Sequence, residues 1–286
     1  MLDILVGGAI LGAIFSLIAI GLNLQYGVTR ILNIAHGEFL MLGSYITYVF
    51  FTFFGVNPLV SLVISGPIVF VIGVFVQVMV FRRLIRLSKS AEELEFRSLL
   101  ACFGLQFIIQ NMVRLGFGAT PISCPYLQET INVFGERFQL NMILAAVMSL
   151  VISIIMYLLL RFVKVGLAMR AAVEEPTGAQ LAGINILKIH AVSFGLGALI
   201  SALTGTMLVM IYSNITPYIG PQYTFIALAV IVLGGMGSFI GSLLGGFFIG
   251  YINYASLKID PLITMAVVYA FLIIMLIIKP RGLFGR

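Results

Sequence analysis

The stretch ILVGGAILGAIFSLIAIGLNL, residues 4–24, contains no charged side chain and no proline. As a helix rising 1.5 Å per residue it is roughly 30 Å long, which matches the hydrocarbon core of a bilayer. The preceding residues, Met1-Leu2-Asp3, lack the basic region of a secretory signal, and the apolar run is too long for one. We therefore predict that this stretch is the first transmembrane helix.

The composition extends this prediction to the whole chain. Of the 286 residues, 61% are hydrophobic and 9% are charged, and the mean hydropathy is +1.17. A soluble domain carries roughly 25% charged residues, so most of this surface must face lipid. The apolar stretches are long and unbroken, whereas barrel strands alternate in polarity. The predicted fold is all-α: a polytopic bundle of about eight to nine transmembrane helices, forming one domain over residues 1–286.

The spans follow from the apolar stretches. They are expected at 2–24, 34–55, 58–81, 99–117, 140–162, 191–213, 223–257 and 261–279. The seventh is too long for one helix, and Gly234-Gly235-Met236-Gly237-Ser238 interrupts it, so we expect two pieces. The two halves of the sequence are weakly similar, because a polar or glycine-rich interruption occurs near 21–38 and again near 234–246.

The basic residues predict the orientation. The segments 82–98 and 161–190 and the C-terminal tail hold most of them: Arg82, Arg83, Arg86, Lys89, Arg97, Arg161, Lys164, Arg170, Lys188, Lys279, Arg281 and Arg286. Such an excess marks cytoplasmic segments, which places the C-terminus inside and the N-terminus outside. The net charge of +6 is thus explained without nucleic acid, since no folded basic domain carries it.

Several kinds of chemistry lack their motifs. The sequence has no phosphate-binding loop of the form G-x-x-x-x-G-K-[ST], no His-Glu-x-x-His metal motif and only two histidines. We expect no catalytic residues, no bound metal and no cofactor in this chain, which is then not an enzyme. Any pumping must draw its energy from a partner or from an ion gradient.

Polar residues cluster between the first two spans. The residues Asn23, Gln25, Arg30, Asn33, His36 and Glu38 lie close to membrane depth. Burying a charge there costs about 2.5–3.5 kcal/mol on the insertion scale, so such groups face a cavity or a partner. We select Asn23, Gln25, Asn33, His36 and Glu38 as candidates for a solute path. The alternative is a cytoplasmic turn with a local His36–Glu38 or Arg30–Glu38 pair.

The interruption at 234–238 has two interpretations. Glycines recurring at 237, 241 and 245 permit close helix packing in lipid. The break itself frees backbone groups that could face the path, which adds Gly234, Gly235 and Gly237 to the candidates.

A third segment of interest is the cytoplasmic loop at about 163–190. Pro176 and Gly183 frame a helix of about two turns, 176–182, and Glu174 and Glu175 precede it at the end favoured by the helix dipole. Such a short helix is marginal alone, so we expect it to dock into a partner; a plain reversing loop is the alternative. The docking candidates are Arg170, Glu174, Glu175, Pro176, Thr177, Ala179, Gln180, Leu181, Ala182 and Gly183.

Several blocks in order give the chain a family resemblance. They are Gly21-Leu22-Asn23, Tyr26-Gly27, Asn33-Ile34-Ala35-His36-Gly37-Glu38, Gly166-Leu167-Ala168-Met169-Arg170-Ala171, Ala182-Gly183-Ile184-Asn185, Leu233-Gly234-Gly235-Met236-Gly237-Ser238 and Lys279-Pro280-Arg281-Gly282-Leu283-Phe284-Gly285. Over nearly its whole length the chain resembles the LivH-type permeases of bacterial branched-chain amino acid ABC importers.

The resemblance implies an inner-membrane importer subunit. Its partners would be a second permease, in an expected heterodimer, two cytoplasmic ATPases that bind ATP and Mg²⁺, and an extracytoplasmic binding protein. The 166–185 segment would supply the helix that seats on an ATPase, and alternating access would move the solute. Members of the family also serve urea, amides and aromatic acids, so the solute stays open among these and hydrophobic amino acids. The main rival is an ion-coupled secondary transporter that uses Glu38 or His36; a channel or a structural subunit is a weaker one.

Overall fold

A computed structural model describes residues 2–133, 135–279 and 282–283. Pro280, Arg281 and residues 284–286 of the predicted basic tail lie outside these ranges. The helices are α1 (Leu2–Thr29), α2 (His36–Phe54), α3 (Pro58–Val76), α4 (Arg82–Leu87), α5 (Ala91–Phe117), α6 (Leu140–Phe162), α7 (Lys164–Glu174), α8 (Pro176–Leu181), α9 (Ile186–Ile211), α10 (Gly220–Gly234), α11 (Phe239–Ile259) and α12 (Thr264–Ile278). A π-helical turn, Gln77–Phe81, joins α3 to α4 without a break.

The predicted all-α membrane bundle is confirmed. Among the residues that the structure describes, seven helices are long and apolar enough to cross a bilayer, and α10 and α12 are shorter apolar helices. A hairpin of β1 (Thr130–Val133) and β2 (Glu136–Gln139) is the only sheet within the described ranges. As expected, the long apolar stretch 223–257 is divided, because α10 ends at Gly234 and α11 begins at Phe239.

Two long helices, α1 and α9, form the centre of the bundle. They cross where Gly21 and Gly197 meet, so that the backbones approach closely. Helix α11 runs antiparallel to α1: Tyr254 donates to Asp3 near one end, and Asn23 donates to Ser242 near the other. The glycines along this interface allow an approach that side chains would block.

The two halves of the bundle use the same arrangement in opposite directions. Helix α3 packs along α9 as α11 packs along α1, and α2 lies on α9 as α10 lies on α1. A non-helical link precedes α2 (residues 30–35) and another precedes α10 (residues 212–219). The counterpart of the interruption near 21–38 is therefore the link 212–219, whereas the weak sequence similarity had suggested 234–246. Packing partners, rather than glycine content, define this correspondence.

The loops expected to share one side of the membrane lie together. Ile122 in the loop 118–129 pairs with Ile215 in the link before α10, and Asn57 donates to Tyr126. At the opposite end, Arg30, Arg161 and Arg170 lie around one cavity.

Several helix boundaries differ from the sequence expectation, and one helix was not expected. The first helix continues to Thr29, beyond the expected end near residue 24, because its polar side chains find partners inside the bundle. Helix α7 was not predicted, since the segment 166–185 was read as a loop holding a single short helix. Its Met169 and Ala172 are buried where α7 meets α1 and α9, so tertiary packing makes this weakly apolar segment helical.

Candidate functional site

The link 30–35 turns the chain back into the bundle. Arg30 adopts a left-handed conformation (φ 56°) and is exposed, and the side chain of Thr29 accepts a bond from the amide of Ile31. The side chain of Asn33 then accepts from the amide of Ala35 at 3.1 Å, which sets up the first turn of α2. The chain therefore reverses direction through local hydrogen bonds between side chains and the backbone, and the link contains no glycine.

Three of the predicted path residues form a buried polar knot. The Gln25 Oε1 accepts from Asn33 Nδ2 at 3.0 Å and lies 3.2 Å from His36 Nδ1, and Gln25 Nε2 donates to the carbonyl of Phe194. Gln25, Asn33 and His36 are each fully buried. The knot ties the link to α1 and α9.

The knot also sets the depth of α2. His36 Nε2 lies 3.2 Å from the carbonyl of Ile18, and Ser201 donates to the carbonyl of His36. Ile18 lies eleven residues before the end of α1 at Thr29, or roughly 16 Å along its axis. Helix α2 therefore begins inside the membrane, near the middle of α1.

Glu38 lies at this depth, in the first turn of α2, and is fully buried. Its Oε1 accepts from Gln110 Nε2 at 2.9 Å, while its Oε2 has no hydrogen-bond partner among the described residues. The salt bridges found within the described ranges are Glu93–Arg97 and Asp3–Lys258. Neither local pair proposed for Glu38, with His36 or with Arg30, is present there.

The break between α10 and α11 depends on glycine. Gly235 (φ 98°) and Gly237 (φ 87°) occupy left-handed conformations that other residues adopt only under strain. Asn23 of α1 holds the break: its Oδ1 accepts from the amide of Gly237 at 2.6 Å, and its Nδ2 donates to the carbonyl of Ser238 at 2.7 Å. Gly234 packs against Gly241, so the two helix ends touch.

A cavity of about 730 Å³ opens beside this break. Of the predicted path residues it contacts Asn23 and Gly237, and of the predicted docking residues Arg170 and Glu174. Gln25, Asn33, His36, Glu38, Gly234 and Gly235 are not part of its lining. The remaining wall contains no residue selected as a path or docking candidate and comprises Ile20, Leu24, Gly27, Val28, Arg30, Tyr157, Leu160, Arg161, Met169, Val173, Met236, Ser238 and Phe239.

The predicted docking residues form a separate, exposed surface around α8. The side chain of Glu175 accepts from the amide of Thr177, Pro176 opens the helix, and Gly183 (φ 85°) follows its end. Ala179 is buried, but Leu181 is 87% exposed. The others, Arg170, Glu174, Glu175, Pro176, Thr177, Gln180, Ala182 and Gly183, are exposed. Arg170 also donates to the carbonyl of Arg161, which fastens α7 to the end of α6.

A helix that begins at mid-depth, together with a glycine break beside a cavity, is typical of a membrane transport protein. The model of the family described as "branched-chain amino acid transport system / permease component" matches residues 4–278, and the chain belongs to this family. The predicted resemblance is confirmed.

Curated relatives agree over nearly the full length. The chain is 31% identical to the high-affinity branched-chain amino acid transport system permease protein LivH of Escherichia coli (strain K12), over 98% of this chain and 94% of the relative. It is 30% identical to the corresponding protein BraD of Pseudomonas aeruginosa, over 99% and 95%. A probable LivH of Methanocaldococcus jannaschii is 30% identical over 86% and 78%. No solved structure matches the chain.

Proposed function

We propose that this permease is one subunit of an ABC importer for branched-chain or other hydrophobic amino acids. It would pair with a second, different permease and would be driven by two ATPase subunits that bind ATP and Mg²⁺. An extracytoplasmic binding protein would deliver the solute. The family membership and the names of the relatives support the solute class. The chain is expected to act as a single permease domain in the inner membrane, with its C-terminus in the cytoplasm.

The proposed coupling to the ATPases rests on the length and the exposure of helix α8. It spans only six residues, and its Leu181 is 87% exposed. A helix this short gains little from its own hydrogen bonds, so packing must hold it in place. An exposed leucine at the end of such a helix is suited to fill an apolar groove in a partner.

Helix α7 connects α8 mechanically to the cavity. Helix α7 contacts α8 at one end and packs against α1, α6 and α9, while Met169, Arg170 and Val173 on it contact the cavity. Movement of a docked α8 would therefore displace a wall of the cavity. We propose that this displacement, passed on to α6 and α9, drives alternating access along a path near the break at 235–238.

The predicted path residues take two roles in this proposal. Asn23 and Gly237 contact the cavity, and Gly234 and Gly235 shape the break beside it. Gln25, Asn33, His36 and Glu38 lie deeper and closed to water. They would meet the solute when the helices around the link 30–35 rearrange.

The test is co-purification of the permease with its candidate ATPases after Leu181→Asp. A charge on the docking helix should reduce ATPase recovery at least tenfold, because desolvating an unpaired carboxylate opposes docking. The matched control is Leu262→Asp, which alters a leucine that is 91% exposed on the opposite face of the proposed topology. Equal ATPase recovery with wild type and Leu181→Asp would refute the docking assignment.

An ion-coupled secondary transporter is the second candidate function, and the buried Glu38 favours it. This reading expects solute uptake into vesicles that contain the permease alone, driven by a proton gradient and abolished by Glu38→Gln. Uptake that appears only with the ATPases and ATP would exclude it.

A further inference from the structure

The N-termini of α2 and α10 meet inside the bundle. The amide of Gly37 donates to the Thr224 hydroxyl at 2.8 Å, and Gly37 packs directly against the carbonyl of Gly220, the first residue of α10. Helix α10 has 15 residues and is about 22 Å long, too short to cross a 30 Å core. Both helices therefore begin at mid-depth and face each other.

Glu38 occupies the junction of these two helix ends. A Cβ atom on Gly220 would lie 2.6 Å from the Cδ of Glu38, so the glycine leaves the space that the carboxyl group fills. The N-cap residues, Ala35 of α2 and Ile219 of α10, make no side-chain capping bond. The carboxyl group thus lies where two helix dipoles favour negative charge.

The carboxyl group lacks one partner. Gln110 satisfies Oε1, whereas Oε2 is buried and has no hydrogen-bond partner in the described part of the chain. An ionised carboxylate at this depth needs a positively charged partner, and a protonated one needs an acceptor. Both helix N-termini favour negative charge at this position, so a cationic donor matches the unpartnered Oε2.

We propose that Glu38 binds the ammonium group of the transported solute while the solute is inside the membrane. The proposal rests on the proposed function and narrows it to solutes that carry an amino group. Oε2 accepts from the ammonium group, Gln110 holds Oε1, and the two helix ends favour the ionised carboxylate while the ammonium group is bound. The closed junction of this structure then corresponds to the solute-free state.

The experiment uses the complete importer in proteoliposomes, with the binding protein and radiolabelled leucine. Glu38→Gln keeps the shape of the side chain and removes its charge. ATP-driven leucine uptake should fall at least tenfold, while ATP hydrolysis stimulated by the loaded binding protein stays within twofold of wild type. The control Asp3→Asn removes a carboxylate at the far end of α1 and should leave uptake within twofold.

The outcomes separate this proposal from the proposed function. Absence of ATP-driven leucine uptake by the wild-type importer would refute the function itself. If the wild-type importer takes up leucine and Glu38→Gln does so at the same rate, the ammonium site alone is overturned. An equal loss of uptake in Glu38→Gln and Asp3→Asn would overturn it as well.

Labelling of the wild-type importer decides the case if Glu38→Gln does not assemble. Dicyclohexylcarbodiimide reacts with the protonated form of buried carboxyl groups, so a carboxylate that holds an ammonium group is protected, and mass spectrometry locates the adduct. Leucine turnover should slow labelling of Glu38 at least twofold. Unchanged labelling would overturn the proposal. Slowing by Na⁺ without leucine would also overturn it, because it would assign the site to an inorganic cation.

Discussion

Asn23 and Gln25 are two residues apart on α1, and each holds one interruption of the bundle. Gln25 binds the link 30–35 and lies in a dry knot, whereas Asn23 binds the break 235–238 beside the cavity. Residues at positions i and i+2 of a helix point to nearly opposite sides, so the two amides serve different neighbours. The same amide chemistry thus holds the link 30–35 in a dry interior and the break 235–238 at a place that water can reach.

The contrast separates an element that opens at a high cost in free energy from one that opens at a low cost. The link uses side chains that are fully buried, and opening it would strand several polar groups without partners. The break uses glycines, and the exposed Gly237 faces a cavity where water can replace a lost bond. We therefore expect local motion to begin at the break.

The largest expected effect is that of Gln25→Ala. The change leaves the carbonyl of Phe194, the amide of Asn33 and the ring of His36 without their partner in a dry interior, at a cost on the order of 4 kcal/mol. The melting temperature of the purified permease in detergent should fall sharply, with reduced yield. Gln128→Ala, in an exposed loop, is the matched control and should melt like wild type.

The dry-knot interpretation would be wrong if Gln25→Ala and Gln128→Ala melted at the same temperature. That result would mean that water enters the knot and replaces the lost bonds.

A smaller effect is expected for Asn23→Ala. It frees the amide of Gly237, the carbonyl of Ser238 and the hydroxyl of Ser242. Water in the cavity can reach the first two, and the hydroxyl keeps its bond to the carbonyl of Ser238, so we expect a cost of about 1–2 kcal/mol. Hydrogen exchange measured by mass spectrometry should accelerate in peptides covering 235–242. Peptides covering 30–38 are the internal control, and faster exchange there as well would remove the distinction between the two regions.

The fold class could be predicted from the sequence because, inside lipid, every backbone polar group must be hydrogen-bonded internally. Long apolar stretches, the basic segments and the glycine break at 234–238 predicted the helices, their grouping and the division of the seventh span. The sequence also framed a helix at 176–182, where the structure has α8. Each of these features is local and needs no knowledge of packing partners.

Features that depend on distant partners could not be predicted. The polarity of residues 23–38 singled out Gln25, Asn33 and His36, but their mutual bonds depend on how α1 meets α2 and α9. The meeting of Glu38 with Gln110 and Gly220 joins residues far apart in sequence. Helix α7 was missed for the same reason, because its helicity depends on packing.

The smallest expected effect is that of Gly237→Ala, and it tests what kind of constraint forms the break. Gly237 has a φ of 87°, but a Cβ atom there would meet nothing within 4 Å, so only backbone strain of about 1 kcal/mol opposes the change. Gly234→Ala is the companion variant: its φ is helical, but its Cβ would collide with the carbonyl of Gly241, a packing conflict of about 2 kcal/mol. Thermal melting should therefore rank Gly234→Ala as the more damaging variant. The reverse order would show that backbone conformation, rather than helix contact, limits the break.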